Sequence, residues 1–214
     1  MNWTDCLLGK IAAGGKPAQL VSVYRQLMDL GFSSFDVSLP AARSLVQAGI
    51  PADSLRFVCD DLAQLDECIS QGWRRVRLTS SLSRRLQDRQ LLAKIQQKEM
   101  GVSVTIHQLS DLEIWQQSSR QQAEIAAGWF ASLILHDADG NWDYSHGALV
   151  AAECQRFWPG IKLEFQGNSS NQMATAAALG MINAGVSTLI CSVGGAFDEI
   201  AWEEVWLGLS VLAP

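Results

Sequence analysis

Hydrophobic and polar positions along this chain follow two alternating periods. Short apolar or alternating runs that read as strands are separated by longer stretches with apolar residues at helical spacing. The clearest unit runs from Leu163 to Gly195, LEFQGNSSNQMATAAALGMINAGVSTLICSVGG. A strand over Lys162–Gln166, a polar turn, a helix over Gln172–Ala184 and a second buried strand make one βαβ unit, whose strands must be parallel. The rest of the chain repeats this pattern. A helical stretch ends in Gly plus an apolar residue, then a strand begins, at Gly31, Gly49, Gly72, Gly101, Gly128, Gly160 and Gly185. Glycine just past a helix end supplies a left-handed backbone turn.

These joints predict eight strands: Trp3–Leu8, Ser34–Leu39, Leu55–Cys59, Arg75–Thr79, Val102–His107, Ser132–His136, Lys162–Gln166 and Thr188–Val193. Helices are predicted over Ala18–Leu30, Ala41–Ala48, Leu62–Gln71, Ser83–Glu99, Leu112–Ala126, His146–Phe157, Gln172–Ala184 and Ala201–Val211. Strict alternation through eight units predicts a closed (β/α)8 barrel in a single domain, short and with nothing added to it. The alternative is an open doubly wound sheet, which no G-x-G-x-x-G or phosphate loop supports.

Composition narrows the function classes. The 214 residues are 48% hydrophobic and 18% charged, which suits a globular protein. A net charge of −6 argues against a nucleic-acid or anionic-membrane surface. No apolar run is long enough to span a bilayer and no N-terminal stretch reads as a signal peptide. With five cysteines and no C-x-x-C pair, the expected compartment is the cytoplasm.

Chemistry in such a barrel belongs at the C-terminal ends of the strands. Polar residues expected there include Asp5, Cys6, Lys10, Asp36, Ser38, His107, His136, Asp137, Glu164, Gln166, Asn168 and Ser192. His107, His136 and Asp137 have metal-ligand chemistry, but ordinary hydrogen-bonded roles are the commoner reading of such residues. Of the basic cluster Arg74, Arg75, Arg77, Arg84 and Arg85, Arg77 sits in a strand and could meet a carboxylate or phosphate. The Gly-Gly pairs at Gly14 and Gly194 could admit an anion, or simply make turns. Trp202 and Trp206, four apart on the last helix, could offer a partner surface or pack inward.

Three stretches carry a resemblance to a known family: FDVSLP at Phe35–Pro40, LHDADG at Leu135–Gly140, and the 163–195 unit followed by AWEEVWLGL. In these the chain resembles homocitrate synthase, isopropylmalate synthase and hydroxymethylglutaryl-CoA lyase. These are metal-dependent TIM barrels that make or break carbon–carbon bonds beside a carbonyl. Their corresponding stretches read I-E-V-G-x-P, D-T-x-G, and H-x-H-N-D with a later E-E-V. The resemblance puts the family's two metal-binding histidines on Glu164 and Gln166, and its N-D on Gly167 and Asn168. Its T-L-R-D-G-E falls on CLLGKIAAGG, with Lys10 at the metal-binding Asp. Asp137, Glu203 and Glu204 are kept, while the Thr of D-T-x-G is Ala138.

The resemblance therefore implies a degenerate member without the family's metal site. It would act as a non-catalytic subunit, with a protein partner or a second copy, or bind a small carboxylate. The alternative is an active lyase, aldolase or acyltransferase on a small 2-oxo acid, with altered residues. Candidate catalytic residues are Lys10, His107, Asp137 and Glu164, and candidate substrate-binding residues are Arg77, Gln166 and Asn168. No cofactor is implied beyond a divalent metal that the ligand set does not support. Lys10 and Glu164 are expected to pair across the barrel mouth, as a fixed cation in the metal's place.

Overall fold

The computed structural model describes residues 1–12, 16–83, 93, 95, 100–107 and 130–212. Eight parallel strands close into a barrel in sequence order. They are β1 (Asn2–Asp5), β2 (Phe32–Val37), β3 (Leu55–Cys59), β4 (Arg75–Leu78), β5 (Gly101–Ile106), β6 (Phe130–Asp137), β7 (Leu163–Gly167) and β8 (Thr188–Cys191). β8 pairs with β1, which removes both sheet edges. The helices are α1 (Leu7–Ile11), α2 (Pro17–Asp29), α3 (Leu39–Gln47), α4 (Leu62–Ser70), α5 (Ser80–Ser83), α6 (Tyr144–Phe157), α7 (Ala174–Asn183) and α8 (Trp202–Leu212). The helix expected over 112–126, most of that over 83–99, and the joint at Gly128 lie outside the described residues.

The glycine joints explain how the chain turns from helix to strand. Gly31, Gly49, Gly72, Gly160 and Gly185 all have φ between 74° and 94°, the left-handed region. Gly101 is different, because it is already the first residue of β5. The first strand is shorter than expected. β1 stops at Asp5, whose carboxylate accepts the Leu8 backbone N–H at 2.7 Å and starts α1. Lys10 consequently sits in the last turn of this short helix rather than on a loop beyond a longer strand.

Strand alternation divides the protein into two environments. Phe35, Val37, Phe57, Cys59, Val76, Leu78, Val104, Leu133, Leu135, Phe165 and Leu189 point outward and meet the helices in one continuous core. Each such side chain contributes about 1.5–3 kcal/mol through burial. The alternate positions point into the barrel, and there Asp36, Arg56, Arg77, Ser103, Thr105, Ser132, Glu164 and Gln166 are buried. Among the buried described residues, Cys6, Ile134 and Ile190 form a small apolar cluster separate from that core. At the closing seam Trp202 packs inward on Trp3 and Phe32, whereas Trp206 is 54% exposed.

Helices α6 and α7 approach through glycines. A Cβ on Gly180 would overlap the Tyr144 carbonyl oxygen, and one on Gly147 would stand 2.9 Å from that of Ala177. Gly180→Ala should therefore destabilise by about 1–3 kcal/mol, although Ala gains about 1 kcal/mol of helix propensity over Gly. Equilibrium urea unfolding measures this, and a variant at or above wild-type stability would contradict the close approach.

Candidate functional site

A chain of charged and amide side chains runs up the barrel interior from its centre to its C-terminal mouth. At the centre is Arg56 on β3, 2% exposed. Its Nε and Nη2 donate to the two oxygens of Asp36 at 2.6 and 3.1 Å. Nη1 donates to Glu164 Oε2 at 2.6 Å and to Ser103 Oγ at 3.2 Å. One guanidinium thus ties β2, β5 and β7 together. One layer higher, Arg77 on β4 donates to Asp36 Oδ2 at 2.7 Å, to Thr105 Oγ1 at 3.1 Å and to the Gln166 carbonyl. Gln166 Nε2 then donates to both oxygens of Glu199, each at 3.0 Å, and Lys10 Nζ donates to Glu199 Oε1 at 3.2 Å.

The electrostatics follow from these pairings. Burial alone would raise the Asp36 carboxyl, but Arg56 and Arg77 outweigh it and hold it below its ordinary value. Glu164 is also held down, since Arg56, Ser132 and Lys162 together overcome its burial. Arg56 is desolvated too, yet its two carboxylates keep it a firm cation. His136 behaves oppositely. Burial first, then the charges of Arg77 and His107, push its imidazole down to about 3, so the ring is neutral. His107 lies against it with ring centroids 4.6 Å apart. Asp5 lies apart from the chain of pairs. Burial lifts its carboxyl to about 6 against the Leu8 and Leu7 N–H groups, and Oδ2 has no partner among the described residues.

Above Arg77 a cavity of ≈ 680 Å3 opens at the C-terminal ends of the strands. That volume suits a small ligand. Lys10, Arg77, His107, His136, Gln166 and Glu199 line it. A second cavity of ≈ 490 Å3 lies beside it between the β7–α7 and β8–α8 loops. The Gly194 N–H there is taken by Glu203, at 2.9 and 3.0 Å from its two oxygens, so an internal carboxylate fills the turn.

Of the seven candidate catalytic and substrate-binding residues, the structure brings four, Lys10, Arg77, His107 and Gln166, together in the mouth. Glu164 lies below them, bound to Arg56. The expected Lys10–Glu164 pair is corrected: Lys10 bonds Glu199, while Glu164 bonds Arg56 and faces Lys162 Nζ at 3.8 Å. The lysine stands on a helix at the rim and the glutamate a layer beneath Gln166, which separates them along the barrel axis. Asp137 and Asn168 are not among the residues lining the mouth cavity. The Asp137 carboxylate accepts the N–H groups of Asn141 and Trp142 at 3.1 and 2.8 Å, and Asn168 Oδ1 accepts the Ser170 N–H at 2.8 Å. Both side chains shape loops.

Arg56 and Glu199 were not reached from sequence. Arg56 is the one charged residue within the apolar run LRFVC, and that interruption was its only signal.

A divalent metal, which the family resemblance implies, does not suit these side chains. Glu164 Oε2 is bonded to Arg56, with Lys162 near its other oxygen, and Gln166 gives its oxygen to Arg77 and its nitrogen to Glu199. Among the described residues no three His, Cys, Asp or Glu side chains converge as a ligand set.

No protein-family model and no curated protein matches the chain. Solved structures do. Hydroxymethylglutaryl-CoA lyase from Pseudomonas aeruginosa is 15% identical with a TM-score of 0.74, over 99% of this chain and 85% of that one. The lyase from Brucella melitensis is 10% identical with a TM-score of 0.73, over 99% and 90%. Pyruvate carboxylase from Rhizobium etli is 10% identical with a TM-score of 0.75, over 98% of this chain and 23% of that much longer one. At such identities the likeness is one of fold, and the chain carries a closed (β/α)8 barrel similar to those of the hydroxymethylglutaryl-CoA lyases and of the matching part of pyruvate carboxylase.

Proposed function

We propose that this barrel binds a small carboxylate in its mouth without a metal, as a ligand-binding or non-catalytic member of its fold group. The observation that carries this reading is the organisation of Arg77. Its guanidinium lines the cavity, and three of its N–H groups are held by Asp36, Thr105 and Gln166. A guanidinium has five such groups, and the other two have no partner among the described residues, which leaves them for a ligand oxygen. The fork is oriented in advance, which lowers the ordering cost of binding.

Proton-transfer catalysis on a 2-oxo acid is the second reading, and the paired His107 and His136 favour it. A base held near 3 is nevertheless inefficient at neutral pH. Binding therefore leads over turnover. We place the protein in the cytoplasm, which its buried free cysteines support. No helix among the described residues is long and apolar enough to cross a membrane.

Calorimetric titration of EDTA-treated protein with acetate, malonate, lactate and pyruvate tests the reading. At least one should bind saturably, and Arg77→Lys, which keeps the charge but not the fork, should bind it about tenfold more weakly. Binding that requires added Mn2+ or Zn2+, or an Arg77→Lys variant as tight as wild type, would overturn it. A borohydride-trapped pyruvate adduct on Lys10 would install the enzyme reading instead.

A further inference from the structure

Glu199 lies in SVGGAFDEIA, the segment that leaves β8 for α8. Its backbone is pinned. The preceding Asp198 is left-handed at φ 59°, the Asp198 carbonyl accepts the Ser169 N–H at 2.7 Å, and Glu199 forms an isolated bridge with Asn168. The side chain is 12% exposed and is held by hydrogen bonds from other side chains. Its carboxylate stands at the meeting of two donors, Gln166 Nε2 and Lys10 Nζ, and it belongs to the linings of both cavities.

Gln166 has no choice of orientation. Arg77 can only donate, so the Gln166 carbonyl must face it and the amide nitrogen must face the mouth. Lys10 is donor-only as well. The two groups therefore make a site for an anion with two oxygens, and a carboxylate of the chain itself already sits there.

We propose that Glu199 is the internal occupant of this carboxylate site, and that a ligand carboxylate binds by displacing it toward the second cavity. The proposal rests on the carboxylate-binding reading above and adds that the ligand carboxylate takes Glu199's place on Gln166 and Lys10, beside the Arg77 that holds the Gln166 carbonyl. Exchange of one carboxylate for another leaves neither Gln166 nor Lys10 without a partner. The contacts being exchanged are the Lys10 pair, 37% exposed at the lysine and 12% at the glutamate, and two hydrogen bonds from Gln166, and an incoming carboxylate remakes them. A carboxylate that the chain itself holds in place competes with every free ligand for the same donors. The site is thereby set to answer to an abundant ligand and to ignore a scarce one.

Acetate and malonate are titrated calorimetrically into wild type, Glu199→Ala, Glu199→Gln and Asp60→Asn at pH 7 in low salt. Each protein is first shown to melt cooperatively. Removing the competitor should tighten binding about tenfold in Glu199→Ala, with a smaller gain in Glu199→Gln, whose amide still accepts hydrogen bonds. Asp60 lines the same cavity, and its neutralisation removes the same charge without vacating the site, so it should gain far less. If Glu199→Ala does not fold, Glu199→Gln carries the comparison. Equal or weaker binding in the Glu199 variants, or an equal gain in Asp60→Asn, overturns the displacement while carboxylate binding stands. Failure of all four proteins to bind overturns both.

Discussion

Arg56→Met should cost about 3–5 kcal/mol of folding stability, enough to unfold many domains of this size. Arg56 is 2% exposed and its Asp36 and Glu164 partners are buried with it. Removing the cation leaves their charges without solvent. Asp36 keeps Arg77 as a partner. Among the described residues Glu164 keeps Ser132 and Lys162, the latter at 3.8 Å, and so suffers more. Neutralising it in the same molecule should then recover part of the loss. The double variant Arg56→Met with Glu164→Gln is expected to be more stable than Arg56→Met alone, with a coupling of about 1 kcal/mol or more. Guanidinium unfolding of both variants decides the matter. A single variant within about 1 kcal/mol of wild type, or a double variant with simply additive losses, would mean that the interior pair is not what holds the barrel.

Acidification should unfold the protein steeply below about pH 4.5, once the ordinary values of 3.8 for Asp36 and 4.5 for Glu164 are reached. Both carboxyls are held below those values in the folded state. Their contribution is fully present above the unfolded values and is lost as pH falls through the folded ones. A paired carboxylate typically holds about 2–3 kcal/mol in this way. Two other groups act at higher pH with opposite signs. His136, lowered from 6.5 to about 3, withholds a proton that the unfolded chain takes, so it subtracts stability as pH falls below 6.5. Asp5, raised from 3.8 to about 6, takes its proton earlier when folded and adds stability over much of the same span. These two partly cancel between pH 6.5 and 4.5, and the paired carboxylates dominate below. Thermal melts from pH 7 to pH 2 should show a shallow slope and then a sharp fall. A melting temperature that stays level to pH 3 would show that Asp36 and Glu164 are not held down by their arginines.

Where sequence and structure part depends on whether a residue's role is local. The glycine joints were legible because a helix end needs a left-handed residue whatever surrounds it, and five of them have that backbone. Lys10, Arg77, His107 and Gln166 were legible as strand-end or rim residues and do meet in the mouth. Arg56 was hidden because LRFVC reads as an apolar strand, and one charged position in such a run has no local explanation. Glu199 was hidden because its partners, Lys10 and Gln166, are 189 and 33 residues away.

Local patterns in the chain were enough to give the order of the eight strands and the barrel they close. Periodicity and helix-end chemistry act over a few residues, and parallel strands joined by helices have few ways to close. Packing across the barrel set which side chains share its interior, that Arg56 rather than Lys10 holds Glu164, and that Glu199 occupies the mouth. Those pairings are made across the barrel between strands and loops far apart in sequence. Desolvation there makes each ion pair consequential, and no local pattern announces it.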